Sequence, residues 1–263
     1  MKKLTLLFVA FFALTLTSFA QNKPIYINIA FHKLKPGHTI EEAIAIEKRW
    51  KVIHEKRKSL GLIVAWAVYP IFNEYKSESV DFDYISCNAS EDLNKITEFP
   101  ADMSAALMKE DPSFYSILEE TAKIQTIVRN KLTKVLDATG PSNDLNSIIL
   151  FETMKTTQAN YLAYIDFEKQ VKAIHLDRIK AGNIQEWSFG QHLAPISYDG
   201  TGQFSTFTFF KDLSKLDFDA TSIYINGAKK YMNLTPEQFT KKVNDLRETK
   251  QSVLLKYAVG TFN

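Results

Sequence analysis

His54, Arg57, Gly61, Ile63 and Trp66 stand at offsets of three, seven, nine and twelve residues, and the same types recur at the same offsets in His175, Arg178, Gly182, Ile184 and Trp187. An imidazole near a guanidinium and an indole can move a proton, hold a metal or simply pack. Packing accounts well for most of the set. Both arginines fall where a helix would end, and a cation there suits the dipole and can bond free carbonyls. Both glycines stand where a left-handed residue would close that helix. His54 and His175 are the least explained by packing. They lie on the flank of an apolar stripe, with Glu47 and Lys51, or Glu168 and Lys172, preceding them at helical spacing. His32, in an apolar run, and His192, just after Trp187, lie outside the echo.

The echo belongs to a longer one. Sliding the chain by 121 residues aligns Ile27–Trp66 with Ile148–Trp187 without a gap, with eleven identities in forty positions. A four-residue insertion then pairs "DFDY" with "TFTF", and "EDLNKI" matches "KDLSKL". This is the pattern of a tandem duplication, with modules at 22–138 and 145–263 and a turn-rich linker at 139–144.

Each copy reads as the same series of elements. "PIYINIAFHKL" and "NSIILFETM" are β-rich first strands. Thr39 with Glu42 predicts a capping box, and Asn160 the equivalent cap. The helices that follow place Ile46, Trp50, Ile53, Arg57 and Leu60, or Phe167, Val171, Ile174, Arg178 and Ala181, on one buried stripe. Two strands follow, at 62–72 and 80–88 or 184–193 and 204–212, with residues alternating between faces. Helices are predicted over 113–132 and 235–250, the second opened by Thr235, Pro236 and Gln238. "TKVLDA" and "SVLLKYAVG" are closing strands. His32 falls opposite Thr153 in this alignment.

The order β-α-β-β-α-β is the ferredoxin-like unit, whose sheet carries helices on one face only. A duplicated unit resembles the dimeric α/β-barrel superfamily. The resemblance implies an α+β fold of two ferredoxin-like modules in tandem, with sheets packed face to face as a pseudo-dimeric barrel. That superfamily includes cofactor-free monooxygenases, isomerases, haem enzymes, stress proteins and members of unknown function, so the fold alone does not decide the activity.

Composition narrows the field. "MKKLTLLFVAFFALTLTSFAQ" has a basic start, an apolar run from Leu4 to Leu16 and small residues before a cut after Ala20. It predicts a bacterial-type signal peptide over 1–20 and an exported, periplasmic or extracellular protein with no membrane span after cleavage. Removing those residues leaves thirty basic and thirty acidic side chains. With no basic run, nucleic acid is not an expected partner. Cys87 is the only cysteine, so no internal disulfide can form, and its strand setting suggests a buried apolar role. No zinc spacing, phosphate loop or nucleophile elbow occurs.

Three functions remain. The first is a binding protein that holds a small apolar or aromatic molecule in or near the barrel, in keeping with nineteen Phe, eleven Tyr and three Trp. Its candidate ligand-binding residues are His32, His54, Trp66, His175, Trp187 and His192. The second is a cofactor-free monooxygenase or isomerase using one of the four histidines as acid–base group. The third is a haem protein with His175 or His54 as axial ligand. No metal site and no catalytic residue is assigned.

Overall fold

A computed structural model describes residues 23–110, 114–140, 147–195, 202–216 and 221–261. The expected signal peptide and most of the linker lie outside the described residues.

The first half runs β1 (Tyr26–Leu34), α1 (Ile40–Ser59), β2 (Ala65–Lys76), β3 (Tyr84–Ser90), α2 (Ala101–Glu110), α3 (Phe114–Ile124) and β4 (Gln125–Ala138). The second runs β5 (Ile148–Lys155), α4 (Tyr161–Lys180), β6 (Glu186–Ala194), β7 (Phe204–Phe210), α5 (Thr221–Met232), α6 (Pro236–Leu246), β8 (Glu248–Lys256) and the short β9 (Val259–Gly260). Each half forms an antiparallel sheet of order β4-β1-β3-β2 or β8-β5-β7-β6. The edges also pair, β4 with β6 and β8 with β2. The two sheets therefore face each other as the walls of one closed eight-stranded barrel, which leaves no long open edge.

The barrel interior is filled. Ile29, Phe31, Tyr69 and Ile85 from one half meet Phe151, Phe207, Val253 and Leu255 from the other. Cys87 packs against this cluster, and burial pushes its thiol up to about 12, so it is not a ready nucleophile. The helices cover the outside of the wall and bury the opposite faces of the same strands. No helix among the described residues is long and apolar enough to cross a membrane.

Local signals behave as the chemistry requires. Thr39 and Glu42 form the capping box, as do Thr235 and Gln238 behind Pro236. Gly61 and Gly182 have φ of +67° and +69°. Each closes a Schellman turn: Gly61 and Leu62 donate to Lys58 and Arg57 carbonyls, and Gly182 and Asn183 to Ile179 and Arg178. Other expectations are corrected. Asn160 makes no side-chain cap; its amide donates to the Asp245 carbonyl at 2.8 Å. Leu60 and Ala181 are exposed cap residues, past the end of the buried stripe. The helices expected over 113–132 and 235–250 stop at Ile124 and Leu246, because Gln125 and Glu248 already pair with the first strand of their half. Each half also has one helix more than expected, α2 and α5.

The register of the two halves matches in detail. β4 is bulged at Val128, opposite the Phe31–His32 step of β1, and β8 at Lys250, opposite the Thr153–Met154 step of β5. Asp83 donates from its amide to the His32 carbonyl, and its carboxylate accepts from the Leu34 amide; Gln203 repeats both bonds with Met154 and Thr156. His32 thus corresponds to Met154, one residue beyond Thr153, and Tyr84 to Phe204, so the four-residue insertion proposed before these strands is absent. The halves also exchange a latch. Thr261 bonds both backbone groups of Trp66, at 2.8 and 2.9 Å, and Thr139 does the same to Trp187, at 2.9 Å each.

Candidate functional site

The echoed residues form the same cluster twice, outside the barrel wall and beneath the first helix of each half. His54 stacks on Trp66 at 4.4 Å, and His175 on Trp187 at 4.6 Å. Arg57 and Arg178 each point Nη1 at the histidine Nδ1, 3.2 Å away. A guanidinium can only donate, so Nδ1 accepts and the ring proton sits on Nε2. Burial, then the adjacent arginine charge, holds His54 down at about 3 and His175 well below the usual imidazole value. Both rings are neutral at pH 7.

The arginines do not bond the last carbonyls of their own helices. Arg57 donates to the Ile96 and Glu98 carbonyls and to Asn88 Oδ1, and lies 4.3 Å from the Phe99 ring. Arg178 donates to Asn183 Oδ1 at 2.7 Å and to the Tyr224 hydroxyl at 2.8 Å. Each arginine staples a later segment of its own half to the helix end.

The unechoed histidines are also held by neighbours. His32 stacks on Tyr84 at 4.3 Å and bonds Gln125 and Ser86; burial lowers it to about 4. His192 is buried on β6, with Nδ1 3.1 Å from the Gly202 carbonyl. The six candidates therefore fall in different places. His54 and Trp66 are packed in the first half, His32 belongs to a separate network there, and His192 is at the far end of β6. His175 and Trp187 line a cavity.

That cavity, of about 340 Å³, lies between the outer face of the second sheet and α4, α5 and α6. Phe167, Trp187, Phe210, Tyr224 and Phe239 supply aromatic wall. Glu152, Glu168, His175, Arg178 and Arg247 bring charge or polarity to it. Glu168 Oε1 lies 3.7 Å from Arg247 Nε. Glu152 makes no hydrogen bond or ion pair among the described residues. Burial raises both carboxyls above their usual range, opposed chiefly by Arg247.

The matching position in the first half holds larger or hydrogen-bonded side chains. Trp50 occupies the helix position that is Val171 in the second half, joins two clusters and donates its indole N–H to Thr121. On the strands, Asn88 of the first half corresponds to Thr208, and Ala30 to Glu152. Gln125, which holds His32, corresponds to Arg247. Tyr84 donates to Glu47 at 2.7 Å; Phe204 stands at the Tyr84 position in the second half, and the hydroxyl beside Glu168 is that of Tyr164 on its own helix. Sequence reading passed over Glu152, Tyr224 and the two threonines of β7. The available signal was an acid inside the apolar run "IILFETM", at a position that alternates onto the helix side.

No family model matches the chain, and no curated protein matches it in sequence. Solved structures do match in fold. A suspected monooxygenase from Fusobacterium nucleatum superposes with a TM-score of 0.51 at 12% identity, covering 92% of this chain and 96% of that one. A haem-binding protein from Thermus thermophilus gives 0.50 at 12% identity, covering 89% and 91%. The chain has the fold of the dimeric α/β-barrel superfamily, without a specific subfamily.

His54 and His175 do not fit as axial ligands to haem iron. An axial histidine offers a bare nitrogen to iron and donates from the other, commonly to a carboxylate or carbonyl. In His54 and His175 the second nitrogen instead accepts from a guanidinium, and an indole covers one ring face.

Proposed function

We propose that this is an exported binding protein, built by tandem duplication, whose second half holds a small, partly aromatic molecule in the cavity between its sheet and helices. The observation that carries the reading is the 340 Å³ space itself, lined by aromatic rings and by charged groups that converge on it. Its size lies at the low end of the roughly 300–1,000 Å³ typical of ligand pockets, and the mixture of apolar wall with few polar groups is the usual one. The first half acts as the rigid partner that closes the barrel. The N-terminal sequence supports export, and mature protein should begin at Gln21.

Native mass spectrometry of protein purified from its producing cell tests the reading. A molecule should be retained by the wild type and absent from Val171→Trp, which places the first half's residue in the cavity. A wild type free of any bound molecule, whose melting temperature no small-molecule panel raises, would remove the proposal.

A second reading, a cofactor-free oxygenase or isomerase, is favoured by one observation. The cavity contains a carboxylate, Glu152, that accepts no hydrogen bond from the described residues, and burial raises its proton affinity against the pull of Arg247 and Arg178. In this reading the base is Glu152 rather than a histidine, since His32, His54 and His175 are all held below their usual range and His192 does not line the cavity.

A further inference from the structure

Glu152 is placed by the register of β5 with its side chain on the helix side, directly across from Thr206 of β7. It lines the cavity, yet no donor reaches its carboxylate among the described residues. The other charged groups there each have a charged or hydrogen-bonding neighbour, although Arg247 Nε itself donates to nothing among the described residues. Glu168 faces Arg247, Arg178 is spent on Asn183, His175 and Tyr224, and Arg247 also donates to Thr249. A largely buried carboxylate with no protein donor keeps only part of its hydration, and a ligand that covered it would have to offer it a hydrogen bond. The fold does not demand it, because Ala30 holds the corresponding place in the first half.

We propose, resting on the reading of this cavity as a ligand site, that Glu152 anchors the ligand. The cavity takes a neutral, flat, ring-containing molecule whose hydroxyl group donates a hydrogen bond to the Glu152 carboxylate. Neutrality follows from the walls, which already balance two acids with two arginines. A carboxylate ligand would meet Glu152 as a like charge. An ammonium ligand would leave an uncompensated positive charge beside Arg178 and Arg247. Flatness follows from the aromatic rings on facing walls, which favour stacked or edge contacts. Burial raises the Glu152 carboxyl, and the charges of Arg247 and Arg178 pull it back down.

Four probes that share one ring system test this: 2-naphthol, 2-methoxynaphthalene, 2-naphthoate and 2-naphthylmethylamine. Each is titrated by calorimetry into the full mature chain, into Glu152→Ala and into Glu152→Gln. The wild type should bind 2-naphthol at least about tenfold more tightly than the methoxy compound, which cannot donate. In Glu152→Ala that preference should fall to about twofold or less, while the methoxy compound binds as before. Glu152→Gln, which keeps an acceptor oxygen, should retain part of the preference. Both variants should melt within a few degrees of the wild type; if Glu152→Ala does not fold, Glu152→Gln carries the comparison. Equal binding of naphthol and methoxynaphthalene, or a preference that survives Glu152→Ala, overturns the role of Glu152 and leaves the cavity as a ligand site. Tightest binding of the naphthoate or the amine overturns the neutral class. Failure of all four to bind overturns the proposal, and native mass spectrometry of wild type against Val171→Trp then decides separately whether the cavity holds a ligand.

Discussion

The two helix-side cores share a frame and differ in filling. In both, a helix ends in an Arg and a Gly, a histidine lies flat on a tryptophan, and a threonine from the other half bonds that tryptophan's backbone. The first core then closes over itself: Trp50 fills the centre, Asn88 ties down Arg57, and Tyr84 satisfies Glu47. The second has Val171, Thr208 and Phe204 at those positions, an added acid at Glu152 and an added cation at Arg247. Repetition therefore marks what the joint needs, and departure from repetition marks where room and unpaired charge appear.

The largest test of this contrast is at the tryptophans. Trp66→Ala should cost about 3–5 kcal/mol, and Trp187→Ala measurably less, because the Trp187 ring already borders empty space. Urea unfolding of both variants checks this, and equal losses would mean that the cavity wall is as tightly packed as the filled core. Next come the reciprocal substitutions at the helix centre. Trp50→Val should cost about 2–4 kcal/mol by opening a void, whereas Val171→Trp should change stability by less than about 1.5 kcal/mol, since it enters existing space. A large loss from Val171→Trp in thermal or chemical unfolding would show the cavity to be too small or misshapen for an indole.

The buried acids give a pH-dependent comparison. Burial holds Glu47 at about 7, with the Tyr84 hydroxyl pulling it down. A folded value above the unfolded one of about 4.3 means that the protonated group stabilises fully below that pH. This stabilisation is lost as pH rises through about 7, on the order of 3 kcal/mol. Glu47→Gln keeps an acceptor for Tyr84. It should therefore gain on the wild type at pH 8 and not at pH 4. Glu168→Gln should gain less or lose, because it leaves Arg247 without its anion. Stability curves at the two pH values that showed the same gain for both would erase the distinction. The histidines work in the opposite sense: their lowered folded values give stability that is complete above about 6.5 and lost as pH falls toward 3 for His54. His54→Gln and His175→Gln should each blunt this acid loss, and to a similar extent, in melting profiles from pH 7 to 4.

The smallest effects should be at the glycines. Neither Gly61 nor Gly182 has an atom within 4 Å of the place a Cβ would take, so only their positive φ resists substitution. Gly61→Ala and Gly182→Ala should each cost about 1 kcal/mol, by the same amount in both halves. A loss several times larger at one glycine, read by urea unfolding, would mean that the two corners are not equivalent.

Local order was well marked in the chain. The capping boxes of Thr39 and Thr235, the Schellman glycines and the strand runs all depend on residues within a few positions of one another, so their spacing is written directly in the sequence. The ends of α3 and α6 were misjudged because Gln125 and Glu248 are drawn into strands by partners about a hundred residues away. Local periodicity does not carry that information. The cap assigned to Asn160 failed for a similar reason: a distant carbonyl, that of Asp245, competes for its amide.

By itself the sequence determined the strands and the first helix of each half, because helix ends, turns and apolar periods are short-range chemistry. It also exposed the stack-forming histidines and tryptophans, though not which of them face open space. Tertiary structure decided that the two sheets close edge to edge, that the lumen is filled, and that the cavity beside Trp187 lies outside the wall. The physical reason is volume and pairing. Whether Val171 leaves a void, or Glu152 lacks a donor, depends on β7, α5, α6 and Arg247 arriving around them, and no residue's type or local spacing encodes what will be packed against it.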